Sequence, residues 1–205
     1  MGRFSRRAAA ALLCGGLLLA GCSAGPKDVD NATEPAPAAE AAADGCAYTD
    51  APLLTLPPRG PGEPTLELPQ PRGWERNTTM DSETVRGVIV NTGMRADDFT
   101  PNAVVTLVDM TAKSPTPQQV IDIELAELSS NGVAVETADT MLVCGHPAMT
   151  VGYTLESRPV NAVIVGVAHE GKTFSAVVTM QTADPTNADY VADMDTILSG
   201  FRVSY

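Results

Sequence analysis

The chain has 205 residues with 25 acidic against 13 basic side chains, a formal net charge of −12, two histidines and four cysteines. A chain this acidic has no electrostatic footprint for nucleic acid, and its surface should be repelled by anionic lipid headgroups. Aromatic residues make up only 4% of it, too few for an extended sugar-stacking platform.

Arg3, Arg6 and Arg7 precede an apolar run over residues 8–20 that ends in Leu19-Ala20-Gly21-Cys22. A basic start, a short apolar stretch and small residues before a cut site predict a secretory signal over residues 1–21. The run is shorter than the ~20 residues a membrane-spanning helix needs. A cysteine directly at the cut makes the stretch a bacterial lipobox, with Cys22 the site of S-diacylglyceryl and N-acyl modification. Two or more acyl chains anchor stably where one does not, at about 0.8 kcal/mol per buried methylene. Arg6-Arg7 is followed by Ala8-Ala9-Ala10, which favours Sec over twin-arginine export. Loss of the three signal arginines leaves ten basic against 25 acidic residues, or −15.

Residues 22–62 are expected to form the acylated cysteine, an Ala/Pro/acidic tether and a Pro-rich arm. The tether lacks the large apolar residues that could offset ordering entropy. In the arm, Leu53, Leu54 and Leu56 stand among Pro52, Pro57, Pro58 and Pro61 and can lie against the following domain. Cys14 is lost with the signal and Cys22 carries lipid, so Cys46 and Cys144 remain as an even pair in an exported chain, the setting where disulfides persist. A bridge closing roughly 100 residues is worth about 4–5 kcal/mol on the chain-entropy estimate. Two free thiols or a metal site are the competing readings. The second would have to recruit His146 or His169.

Residues 63–205 are expected to form one domain. Short β signals at 65–68, 85–90 and 103–110 come first. Thr116-Pro117-Gln118-Gln119 then supplies an N-cap, a proline at the first helical position and a glutamine at N3. Ile121, Leu125 and Leu128 follow at helical spacing, and Asn131-Gly132 is the stop. Met149, Val151, Tyr153 and Leu155 alternate with polar or small residues as a half-buried strand should. Residues 160–168 are apolar on both faces, which predicts a central strand. His169-Glu170-Gly171-Lys172 turns the chain into a strand over 173–181, with Phe174, Ala176, Val178 and Met180 as its inward row. A last helix begins near Asp184-Pro185 or Asn187, carries the stripe Tyr190, Met194 and Ile197 beside Val191 and Leu198, and ends at Gly200. Phe201, Val203 and Tyr205 suit a closing edge strand. This order predicts an α+β fold, a mainly antiparallel sheet with two packed helices.

The stretch Leu66-Glu67-Leu68-Pro69-Gln70-Pro71-Arg72-Gly73-Trp74, with the lipobox, the tether and this element order, resembles the LpqN/LpqT lipoproteins of mycobacteria and other actinobacteria. The resemblance covers residues 63–205 and the processing signal. It implies a Mog1/PsbP-like α/β sandwich held at the outer face of the cytoplasmic membrane, acting in the cell envelope as a binding or accessory protein. It brings no catalytic motif. Trp74, just after a turn, reads as a buried anchor, with a ligand groove as the alternative.

The chain offers little for catalysis. No Gly-x-Ser-x-Gly elbow occurs; Ser129-Ser130 and Ser199-Gly200 sit at helix ends. His146 enters a strand from a turn and His169 sits at a hairpin tip. Asp97-Asp98 and the Asp193/Asp195 pair lack metal spacing, and no cofactor motif is present. The expected role is therefore non-enzymatic: a membrane-anchored lipoprotein that binds an envelope protein or glycolipid, in lipid transport or assembly. A lipid groove would fall between sheet and helices near Met149, Val151, Phe174 and Val178, residues that read equally well as closed core. An envelope hydrolase or esterase with an unrecognised site, and a host- or partner-facing interaction protein, are the alternatives.

Overall fold

The computed structural model describes residues 45–113 and 115–205. The lipobox, Cys22 and the tether up to residue 44 lie outside the described residues. The rest forms ten strands and two helices: β1 (Leu53–Leu56), β2 (Thr65–Pro69), β3 (Glu75–Arg76), β4 (Val85–Val90), β5 (Asn102–Asp109), α1 (Pro117–Ser130), β6 (Val135–Val143), β7 (His146–Leu155), β8 (Arg158–His169), β9 (Lys172–Gln181), α2 (Ala188–Ser199) and β10 (Arg202–Ser204).

Seven strands make one sheet in the order β3-β4-β5-β9-β8-β7-β6, every neighbouring pair antiparallel. A second sheet, β1-β2-β10, is also antiparallel. The fold is α+β, as the element order predicts. Strand alternation separates the two faces of the large sheet. Val163 and Val165 of β8 join Ala176, Val178 and Met180 of β9 in the main core, closed by Leu66 and Leu68 of β2 and by Tyr190 and Ile197 of α2. Ala162 and Ile164 point the other way and meet Ile121 and Leu125 of α1. The layers are thus α1, the large sheet, and then α2 with the small sheet.

Local chemistry explains each helix. Thr116 Oγ1 accepts from the Gln119 amide at 3.3 Å while Gln119 Oε1 accepts from the Thr116 amide at 2.8 Å, a complete capping box with Pro117 next in line. Gly132, at φ +76°, takes the left-handed turn that ends α1. The second helix starts at Asn187, whose side chain accepts from the Tyr190 amide at 3.0 Å. Trp74 is buried against α2, its indole N–H donating to Asp193 at 2.7 Å. It is the anchor that its place after the turn suggests.

Two elements differ from the sequence expectation. The Pro-rich arm contributes β1, whose Leu54 and Leu56 pair with Leu68 and Leu66, so the folded body begins before residue 63. Residues 135–143 form β6, a nine-residue edge strand of which only Val143 is buried.

Candidate functional site

The face of the large sheet under α1 is only partly covered. Cross-strand register sets out its rows: Thr106, Val177, Ile164 and Met149 form one; Val88, Val104, Thr179 and Ala162 the next; Val90, Asn102, Gln181 and Val160 a third. The helix packs chiefly on β8, with β7 and β9 beside it, over Ile164 and Ala162. The β4–β5 end of the second and third rows is left as the floor of an open trough of about 440 Å³, within the ~300–1,000 Å³ of small-molecule sites.

The trough is amphiphilic along its length. Val88, Val90, Val104 and Leu155 give it an apolar floor and wall, and Asn77, Asn102 and Gln181 add amide groups to the lining. Arg158 and Phe99 also line it, the guanidinium carbon 4.4 Å from the ring centroid. Arg158 Nη2 bonds Glu156 at 2.7 Å, and its buried Nε has no hydrogen-bond partner among the described residues. Toward α1 the trough meets a narrower cavity of about 160 Å³ between Leu128 of the helix and Val151, Ile164 and Val177 of the sheet. Tyr153 and Thr179 line both spaces. Burial, with the charge of Glu124, holds the Tyr153 phenol above its usual pKa, so the hydroxyl is a neutral donor at the junction. The arrangement suits an extended amphiphile, apolar along the sheet and hydrogen-bonded by the amides and Arg158. No nucleophile and base are brought together there.

The other residues that sequence reasoning singled out are dispersed. Cys46 and Cys144 are joined by a disulfide, their sulfurs 2.01 Å apart, tying the arm to the β6–β7 turn. His146 opens β7 half-buried, and burial, then the neighbouring His169, lowers its pKa. His169 ends β8 stacked on Tyr205, ring centroids 3.7 Å apart. Ser130 and Ser199 turn their hydroxyls back to the helix carbonyls of Glu127 and Asp195. Asp97 and Asp98 form a positive-φ turn, with Asp98 paired to Arg95. Phe174 and Val178 are sealed in the main core, and Met149 and Val151 sit on the α1 side. The open trough lies instead among Val90, Asn102, Val104 and Gln181. Among the described residues no three His, Cys, Asp or Glu side chains are grouped to hold a metal ion, and no helix is long and apolar enough to cross a membrane.

A family model described as probable lipoprotein LpqN matches residues 53–204. Among solved structures, this chain is similar to LpqN of Mycobacterium tuberculosis, described as involved in cell envelope biogenesis. Identity is 20% and the TM-score 0.61, over 75% of this chain and 91% of that one. The Ran-binding protein Mog1p of Saccharomyces cerevisiae matches at 12% identity and a TM-score of 0.43, over 72% and 85%. No curated protein matches the chain.

Proposed function

Because the chain belongs to the LpqN family of probable lipoproteins, we propose that it is a non-enzymatic binding protein anchored in the cell envelope, and that its ligand is an amphiphilic envelope lipid. In this reading residues 1–21 are removed on export and Cys22 is acylated. The segment up to Cys46 tethers the folded domain at the outer face of the cytoplasmic membrane. The acyl chains hold the protein there, since a surface this acidic draws no help from anionic headgroups.

The observation that carries the ligand assignment is the half-covered sheet face. An apolar trough lined also by amides and a guanidinium matches a molecule with a hydrocarbon part and a hydrogen-bonding head, a glycolipid included. The narrow cavity beneath α1 extends the apolar path. A ligand held this way would be handed between membrane components rather than transformed, which is the work of an accessory protein in lipid transport or assembly.

Two measurements test the proposal. Cys22→Ser should move the protein from the membrane to the soluble fraction with its unfolding midpoint unchanged; tight membrane retention of this variant would overturn the anchor. Gentle extraction of the acylated protein followed by mass spectrometry should recover a co-purifying envelope lipid. Its absence would overturn the ligand assignment.

A further inference from the structure

The other face of the sheet presents a second surface, built around the free edge of β6. This strand pairs only with β7, and its outer edge has no backbone partner among the described residues. At the opposite end of the sheet the edge strand β3 is two residues long. The β6 sequence contains neither lysine nor proline, the residues that most often block edge pairing. Alongside β6 runs a cleft of about 370 Å³ between the sheet and α2, walled by Met141, Met194 and Leu198. Val191, on the same helical face one turn earlier, is 37% exposed and continues this apolar strip.

Charge decides what can occupy it. Among the described residues, Asp195 is the one charged residue lining the cleft, and no basic side chain does. Asp139 is exposed and lies on the same face of β6 as Thr137 and Met141, opposite Thr150. A second copy of this chain would bring Asp139 and Asp195 against like charges, on a protein whose net charge is already −12.

We propose that the β6 edge and the adjoining cleft dock an extended, basic segment of a partner protein, added as an eighth strand. Main-chain hydrogen bonds to β6 would supply affinity and side chains the specificity. On the cleft side, every second residue of the segment would alternate apolar and basic, meeting Met141 and Met194 in turn with Asp139 and Asp195. This surface lies across the sheet from the trough, so a partner and a lipid can be bound together.

The test uses the full acylated chain in detergent and a labelled peptide, Thr-Val-Thr-Lys-Thr-Val-Thr-Lys-Thr, with its Glu-for-Lys counterpart as control. The Lys peptide should bind at least tenfold more tightly, weaken as salt is raised, and slow amide exchange across Val135–Val143. Asp195→Lys and, independently, Asp139→Lys should each weaken it about tenfold; both positions are exposed, so neither variant should alter folding. Equal affinity for the two peptides, absence of binding, or protection elsewhere than β6 would overturn the proposal. So would a dimer of the unliganded chain in which β6 is already protected.

Discussion

Gly166→Ala is expected to cost about 3 kcal/mol of stability and to loosen α1 from the sheet. The reason is room. A Cβ at Gly166 would lie 1.9 Å from the carbonyl oxygen of Pro117 and 2.6 Å from its carbon. These are backbone atoms in the first turn of α1, and no rotamer change relieves the overlap. The helix would have to lift at the end fixed by its capping box, opening the contact of Ile121 and Leu125 with Ala162 and Ile164. Gly87 is the informative contrast. The nearest atoms a Cβ there would meet are the side-chain end of Leu56, at 2.7 Å, not backbone, so Gly87→Ala should cost markedly less. Urea midpoints report the loss. Amide exchange should show α1 opening well before the β8–β9 core, whereas uniform destabilisation would contradict this picture. Since α1 roofs the narrow cavity, lipid retention should fall in the same variant.

Glu63→Gln should cost about 3 kcal/mol at neutral pH, because it strands a buried arginine. Arg86 is 4% exposed, and its Nη2 donates to Glu63 Oε2 at 2.8 Å. The same oxygen accepts from the amides of Arg59 at 2.7 Å and Gly60 at 3.1 Å. The Arg86 hydrogen bond, helped by these amides and opposed by partial burial, lowers the Glu63 pKa from 4.5 to about 2. Because the folded value lies below the unfolded one, the stabilisation is fully present above about pH 4.5 and is lost as pH falls toward 2. Glu63→Gln should therefore remove part of the wild-type stability loss over that window. Glu63→Gln combined with Arg86→Met should cost less than the two single changes together. Chemical unfolding at pH 7 and at steps below 4.5 decides the matter; an unchanged pH profile would contradict it.

The helices were legible because their ends and faces carry chemistry: Thr116, Pro117 and Gln119 at one start, Asn187 at the other, and apolar residues at helical spacing between. Strands β8 and β9 were legible from long apolar or alternating runs. By contrast β6 is wet on nearly all of its length, so the sequence Val-Glu-Thr-Ala-Asp-Thr-Met-Leu-Val shows no alternation to read. The strand β1 was hidden by the prolines that flank it, Pro52, Pro57 and Pro58, and pairing with β2 rather than local propensity makes it a strand.

The trough was illegible for a different reason. Val104 and Thr179, like Asn102 and Gln181 in the next row, read as ordinary outward positions. Whether those rows are open depends on where α1 lands, which no periodicity reports. Gly166 was the available signal: a glycine inside an apolar strand run marks a close backbone approach. The Cys46–Cys144 pair could be argued from compartment and count, yet its place at the β6–β7 turn required the fold.

The most direct measurement of the proposed function is the lipid carried by the protein when the trough is filled from within. Val104 is half-buried on the open floor, so Val104→Trp can occupy the space without disturbing the main core. After gentle extraction, the wild-type protein should carry near-stoichiometric amphiphile and Val104→Trp at least tenfold less, with the unfolding midpoint preserved. Equal lipid in the two proteins would contradict binding in the trough, and so would an empty wild-type protein.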